Sequence, residues 1–538
     1  MSDLTYNLAD LWEAVCDRVS DRVAVICEGR TVTYRELDER SNRLAHVLQD
    51  HGVGPGDHVG AYLVNGVEYF DVILAAFKLR AVPININYRY VEAELLHLFN
   101  DSGVSVVVAN RQFSGRIAAI RAKAPALETV LSVDDGSGEC PADFVDYDAA
   151  LAAASPDRLA IERSGDDLYV LYTGGTTGLP KGVVWRHEDA FFACIGGGDP
   201  MRLSGPVERP EEVLDRIIDF DFVSFPVAPM MHAAAQWTSL SWLLCGARVV
   251  MHPGSFDAVA TWKAVEDNGV STLIIVGDAM ARPLIDAWDA HGPFKVDSLF
   301  AVGSGGAPLT VSLKDRLAEI LPTTMITDGF GSSETGAQGS QRLQPGDTSG
   351  GSTKFVPLTD TTAVLDEQLA VVEPGSGVIG RVALRGRIPL RYHNDPVKSA
   401  ETFVETNGVR WVVTGDMATV SEDGTIVLLG RGSQVINTGG EKVYPEEVEA
   451  ALKSHPAVYD ALVVGVPDER FGQRVCAVVQ PRDGQEVDLA TLSDHCRTFV
   501  AGYKVPRELV VVDAVLRSPV GKPDYRWAAA TAREALGK

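Results

Sequence analysis

Residues 173–182 read TGGTTGLPKG. Its glycines let a backbone take φ > 0 and come close to an anion, while Thr173, Thr176 and Thr177 add hydroxyl donors and Lys181 a positive charge. The chemistry those types suit is a loop wrapped around phosphate, made of Thr173, Gly174, Gly175, Thr176, Thr177, Gly178 and Lys181. It is not a P-loop: that pattern needs Gly, four residues, then Gly-Lys-Ser/Thr, and the Gly-Lys pairs of this chain, Gly521-Lys522 and Gly537-Lys538, do not fit. Composition alone also describes a plain Gly- and Thr-rich surface loop, so the weight falls on partners elsewhere.

Those partners follow in order. Residues 303–308, GSGGAP, come after an apolar run and would let a flat ring approach backbone. Asp328, Gly329, Phe330, Gly331, Ser332, Ser333 and Glu334 then set an aromatic face beside hydroxyls and a carboxylate, a group able to stack a purine and to hold a hard cation through Glu334. Further on, Trp411, Thr414, Gly415 and Asp416 put a carboxylate at a strand end, suited to a pair of ribose hydroxyls, and Arg431 offers a donor to ribose or phosphate. A GxGxxG at Gly375, Gly377 and Gly380 precedes a strand-like run instead of opening a helix, so it is discarded as a dinucleotide site.

The elements that must position these residues are legible as alternation. Up to about residue 430, helical patterns alternate with short Val- and Ile-rich runs, such as 104–109, 247–251 and 272–276, which argues for βαβ units and mostly parallel sheets. Leu168, Tyr169, Val170, Leu171 and Tyr172 form one such run, so the phosphate loop leaves a strand end, where open α/β sheets place ligands. Thr33 and Glu36 make a capping box ahead of Leu37, Leu44 and Leu48. Residues 199–218 read as an acidic insertion with a short helix. Near Gly430 a Gly-rich connector leads to Pro445, Glu446 and Glu447, suited to a first helical turn. Beyond it, runs at 461–466 and 475–480 and a helical stretch at 489–500 make a small α+β domain. The expected fold class is therefore α/β: a large N-terminal domain of mixed and parallel sheets flanked by helices, residues 1–431, and a small mobile α+β C-terminal domain, residues 432–538.

Bulk numbers bound the partners. The 538 residues exceed what one core holds. A formal net charge of −25 opposes nucleic acid and anionic membrane surfaces, and no run of five or more Lys or Arg counters it. The seven cysteines are scattered with no CxxC, which speaks against a disulfide framework or zinc and for a reducing cytoplasm. Leu8, Leu11, Trp12, Val15 and Val19 follow helical spacing and not a signal peptide. No run is apolar enough to span a bilayer; peripheral membrane contact and a homodimer stay open.

Taken in order, TGGTTGLPKG, GFGSSETG, WVVTGD, GRGSQVINTGGEKVYPEEVE and SPVGKPDYR resemble the core motifs of the adenylate-forming superfamily of acyl-CoA and aryl-CoA synthetases, peptide-synthetase adenylation domains and beetle luciferases, over nearly the whole chain. The resemblance implies ATP, Mg²⁺ and, for an acid–CoA ligase, CoA as co-substrate. It gives Lys522 the role of the lysine that reaches the substrate carboxylate and the α-phosphate together, Glu334 the Mg²⁺, Phe330 the adenine face, and Asp416 with Arg431 the ribose. Asp328 and the backbone of Gly305, Gly306 and Ala307 become adenine contacts. His232, in APMMHAAA, resembles the histidine between the acyl pocket and the nucleotide site. Gly439, Gly440 and Glu441 would line a pantetheine tunnel after the small domain rotates. Two departures stand out: Ser433 and Gln434 replace the usual connector residues, leaving Ser433 as the hinge, and Phe330 and Ser333 replace Tyr and Thr.

Within the superfamily, a peptide-synthetase unit would carry a further carrier domain and an acidic residue for an α-ammonium, where this chain shows PVAPMMHAAAQW. The runs GVVWRHED, GDAMARPL and AGYKVPR resemble actinobacterial fatty-acid-type CoA ligases, including those for sterol side-chain carboxylates. Met230, Met231, Trp237 and Met280 could shape a roomy pocket or be ordinary core. A bulky steroid side-chain acid ranks above a fatty acid and aryl acids third; the rival from another class is a non-catalytic descendant that binds acyl groups or nucleotides.

Overall fold

A computed structural model describes residues 4–537, apart from 174–178, 351–352, 439–440, 469 and 519–520. Two large sheets dominate the first part of the chain. The nine-stranded sheet runs Val356–Pro357, Gly336–Leu343, Met325–Ser332, Ala301–Ser304, Thr272–Ile275, Val223–Pro226, Arg248–Met251, Val23–Cys27, Arg30–Thr33. Its middle pairs are parallel and its outer hairpins antiparallel. The eight-stranded sheet runs Arg391–Tyr392, Lys181–Arg186, Leu168–Thr173, Val82–Asn85, His58–Tyr62, Val106–Asn110, Thr129–Val133, Val145–Asp146.

Strand alternation shows how the layers form. In Val106–Asn110, Val106 and Val108 join one buried cluster while Val107 and Ala109 join another. The first cluster also takes Val25, Val223, Phe225, Val249 and Leu273 from the nine-stranded sheet and Leu37, Leu44, Phe70 and Phe77 from the helices Tyr34–Asp50 and Val67–Lys78. Both sheets thus press on the same helical layer, and strands covered on both faces read as continuous Val/Ile runs. The capping box is present: Thr33 accepts from the Glu36 amide, and Glu36 accepts from the Thr33 amide.

A five-stranded antiparallel sheet follows, Thr362–Leu365, Gly380–Arg385, Val409–Val420 and Phe403–Thr406, with Ile426–Arg431 on the long strand. One 3₁₀ turn, Gly432–Gln434, with Ser433 exposed, separates it from the last sheet. That sheet joins Glu441–Val443, Ile436–Thr438, Gly472–Pro481 and Val458–Asp468, with Glu508–Val511 parallel to Gly472–Pro481. Leu462, Val464 and Val466 pack toward Ala528 and Ala532 of the helix Tyr525–Ala535; Ala461 and Val463 pack toward Pro445–Lys453 and Leu489–Cys496.

Three local expectations shift. The strand run begins at Val106, not 104; the late helix stops at Cys496, where the Phe499 and Val500 amides both turn back on the Cys496 carbonyl; and the short helix of the insertion is a 3₁₀ segment, Pro210–Arg216. Met230, Trp237 and Met280 lie in the main buried cluster. No helix among the described residues is long and apolar enough to cross a membrane.

Candidate active site

Thr173 and Lys181 face each other as the last register pair of an antiparallel hairpin. The glycine-rich run therefore connects two strands, whereas a P-loop connects a strand to a helix. Gly174, Gly175, Thr176, Thr177 and Gly178 lie outside the described residues. Asn85 fixes the hairpin's base, accepting from the Tyr172 amide at 2.7 Å and donating to the carbonyls of Tyr172 at 2.8 Å and Met231 at 2.7 Å.

Lys181 holds Asp395 at 2.9 Å and lies 5.7 Å from the ring centroid of Tyr392. Asp395 also caps the helix Pro396–Thr402 through the Lys398 amide. The Lys181 and Lys398 bonds keep its carboxyl below the ordinary value.

Glu334 sits in the tight turn between Met325–Ser332 and Gly336–Leu343. The turn is held from several sides: Ser332 Oγ accepts from the Glu334 amide, Thr335 Oγ1 accepts from the Ser332 amide, and Trp185 Nε1 donates to the Ser333 carbonyl at 2.9 Å. Gly336 has φ +65, and a Cβ there would meet the Ala193 carbonyl oxygen at 2.3 Å, so no larger residue fits. Tyr392 donates to Glu334 Oε1 at 2.8 Å. Burial and that carboxylate push the phenol's pKa up.

Phe330 packs edge-on to Phe355 at 4.9 Å and joins a cluster with Val364, Val382 and Ile426. Gly305, Gly306 and Ala307 follow the parallel strand Ala301–Ser304 at its carboxyl end, and Gly306 is exposed. Asp328 differs from the adenine contact the resemblance implies. It is 3% exposed, its carboxylate meets Lys314 at 2.8 Å, and burial, opposed by Lys314, pushes its pKa up to about 6. Asp416 and Arg431 are register partners on adjacent strands and pair at 3.0 Å, which presents one carboxylate and one guanidinium side by side.

Lys522 enters from the small domain. Its loop is a turn in which the Ser518 amide donates to the Lys522 carbonyl at 2.8 Å and the Lys522 amide to Ser518 Oγ at 3.1 Å. Arg517 anchors it, donating to both Asp460 oxygens at 2.6 and 2.8 Å and to the Gly521 carbonyl at 3.1 Å. The lysine's charge senses three residues far away in sequence: Arg431 lowers its pKa while Glu334 and Asp416 raise it, and burial gives the net downward shift. Solvent still reaches the side chain.

His232, the residue ahead of the helix Ala233–Leu243, closes the group. Its Nε2 is buried with no hydrogen-bond partner among the described residues, and burial, Lys522 and Arg89 together push its pKa down from 6.5 to about 3. The imidazole is therefore neutral at physiological pH. The unfolded chain takes up a proton near pH 6.5 that the folded chain refuses until about pH 3, so stability is lost as pH falls through that window. Proton NMR of the imidazole should show no titration of His232 between pH 8 and 5; an inflection near 6.5 would contradict the placement.

Sequence reasoning missed Tyr392, Asp395, Arg89 and Arg517. Only Asp395, ahead of Pro396, carried a local signal, that of a helix cap. Glu441 is exposed on the edge strand Glu441–Val443, and Gly439 and Gly440 lie outside the described residues. No group of three or more His, Cys, Asp or Glu side chains among the described residues could hold a metal by itself.

Residues 12–391 match the family described as AMP-binding enzyme, and residues 447–522 match the AMP-binding enzyme C-terminal domain. The chain belongs to the AMP-binding enzyme family. It is 47% identical over 535 residues to the 3-oxocholest-4-en-26-oate–CoA ligase of Rhodococcus rhodochrous, covering 98% of this chain and 96% of that one. Similarity to the medium/long-chain-fatty-acid–CoA/3-oxocholest-4-en-26-oate–CoA ligase of Mycobacterium marinum is also 47%, over 530 residues, with 97% and 96% covered. Among solved structures, the anthranilate CoA ligase AuaEII in complex with anthranoyl-AMP superposes with a TM-score of 0.85 at 23% identity, covering 99% of both chains, a likeness of fold.

Proposed function

We propose that this AMP-binding enzyme is an ATP-dependent acid–CoA ligase that activates a medium- or long-chain fatty acid or a steroid side-chain acid as its acyl adenylate and then passes the acyl group to CoA. One observation carries the reading: Lys522, brought in from the small domain, lies near enough for Glu334 and Asp416 to raise its pKa and for its own charge to lower that of His232. Full-length similarity to the two ligases supplies the acid class.

In the first half-reaction the carboxylate oxygen attacks the α-phosphorus of ATP and pyrophosphate leaves. Two anions must approach, and an ammonium preorganised between them stabilises charge as it shifts in the transition state. Lys522 holds that place. Lys181 and the hydroxyls and amides of residues 173–178 bind the phosphates, which draw Lys181 away from Asp395. Asp416 accepts from the ribose hydroxyls, Arg431 holds Asp416 in position, and Phe330 with residues 305–307 borders the base. Neutral His232 lines the junction with the acyl pocket without adding charge to it. In the second half-reaction the CoA thiolate attacks the acyl carbon and AMP departs; Gly439, Gly440 and Glu441 border the thiol's path once the small domain turns about Ser433. The functional division is thus 1–431 for ATP and acid and 432–538 for the mobile part.

A single carboxylate with a free oxygen fits Mg²⁺, which takes few protein ligands and completes its shell with phosphate and water. Glu334 would hold it, and the ion would supply charge neutralisation on the phosphates. Tyr392 orients that carboxylate, so Tyr392→Phe should cost roughly 1 kcal/mol of cation affinity, about fivefold. Paramagnetic titration with Mn²⁺ and a nonhydrolysable ATP analogue reads this directly; unchanged affinity would remove Tyr392 from the role.

The overall test is AMP release with ATP and CoA across fatty, aromatic and steroid side-chain acids, with CoA omitted as control. Fatty or steroid acids should turn over best; a preference for aryl acids, or no AMP with any acid, would refute the reading.

A further inference from the structure

One helix of the large domain, Gly277–His291, receives the small domain along its inner face. Asp278, in its first turn, pairs with Lys453 of the small domain at 2.9 Å, and the two side chains are only 7% and 5% exposed. The same carboxylate accepts from the Thr310 amide at 2.7 Å through its other oxygen, which fixes its direction. Next along the helix, a Cβ placed on Gly521 would lie 2.3 Å from the Ala279 Cβ, so the backbone beside Lys522 rests directly on the helix. One turn further, the Arg282 guanidinium lies over the Tyr459 ring at 5.1 Å from the centroid, and Asp286 faces Arg482 at 3.9 Å.

We propose that Asp278 and Lys453 are positioning residues for the first half-reaction: their buried ion pair holds the small domain on the helix Gly277–His291 and so seats Lys522 in the cleft. Neither touches the reacting atoms. The pair is buried only while the two domains are apposed as here, and when they part each charge regains water. An ion pair that is buried and geometrically fixed loses most when one partner is removed, because the other is left buried and uncompensated. Removing one partner therefore disfavours the docked arrangement alone, and the population of enzyme with Lys522 in place falls with it. The inference rests on the ligase reading above.

The variants are Asp278→Asn, whose amide oxygen still accepts from Thr310, and Lys453→Met, which keeps most of the aliphatic stem. Two rates are measured on the full-length enzyme: acid-dependent ATP–pyrophosphate exchange, and thioester formation from CoA and supplied acyl adenylate. Each single variant should lose about 100-fold or more in exchange, an effect of the size a broken buried pair supports, and stay within about twofold of the parent in thioester formation. The double variant should fall no further than the worse single one, because both remove the same interaction. Equal loss in both rates, or losses that multiply in the double variant, would overturn the proposal, and so would unchanged exchange. Thermal unfolding of each variant separates docking from folding: a lowered exchange rate counts only where the small domain's transition is retained, and Lys453→Gln provides a second variant should the methionine destabilise it. A parent enzyme without pyrophosphate exchange on any acid would instead defeat the ligase reading.

Discussion

Lys522→Ala should abolish pyrophosphate exchange while leaving thioester formation from supplied acyl adenylate largely intact. Removing one preorganised donor at a developing charge typically costs ~10²–10³ in rate, roughly 3–4 kcal/mol. The selectivity comes from geometry. The ammonium is placed where it senses Glu334, Asp416 and Arg431, the residues to which the proposed function gives the cation and ribose roles. The second half-reaction expels AMP from an anhydride already made, and the like-charge approach that needs Lys522 is over. Lys522→Arg should restore little, since a planar fork does not replace a compact charge in a crowded cleft. Equal loss of both half-reactions would show that Lys522 does something other than assist adenylation.

The second large effect is expected at Gly521, a residue without any functional group. Gly521→Val places a β-branched side chain at φ +74, and its Cβ would fall 2.3 Å from that of Ala279. The left-handed backbone costs ~1–3 kcal/mol wherever the loop is, whereas the collision, of about 1–3 kcal/mol, arises only on docking. Pyrophosphate exchange should therefore fall by about 10²-fold, with thioester formation reduced far less. Ala279→Gly in the same chain relieves the collision and not the backbone strain, so it should recover part of the lost exchange. If Ala279→Gly recovers nothing, the loop does not rest on this helix during adenylation.

What could be read in the sequence was what is local. The capping box at Thr33 and Glu36 forms because both partners lie within one turn. Pro445 opens a helix for the same kind of reason, as its ring presets the first-turn dihedral. The phosphate loop was assigned from its glycines and hydroxyls, and the strands at either side from their apolar runs. The pairing of Asp416 with Arg431 was within reach as two residues of one subsite, but their direct contact depends on the register of two antiparallel strands. That the Asp328 carboxylate pairs with Lys314 was not legible, because nothing in GFGSSE or its flanks announces a lysine that reaches it from a different helix.

The chain by itself determined the types and order of the candidate groups: a glycine-rich loop, a carboxylate in a tight turn, a carboxylate at a strand end and a late lysine. Short-range steric and hydrogen-bonding rules suffice for each. Which of them meet is a matter of long-range packing, and only the tertiary structure decided it. Tyr392 reaches Glu334 because Arg391–Tyr392 adds to the edge beside Lys181–Arg186. His232 stays neutral because burial takes its imidazole out of water and the charges of Lys522 and Arg89 add to that effect. Lys522 enters the cleft because Asp278, Ala279 and Arg282 present, along one helix, a charge, a small flat contact and a cation to matching groups of the small domain. Contacts between residues so distant in the chain have no local signature, since each residue's own neighbours would be equally content with it exposed to water.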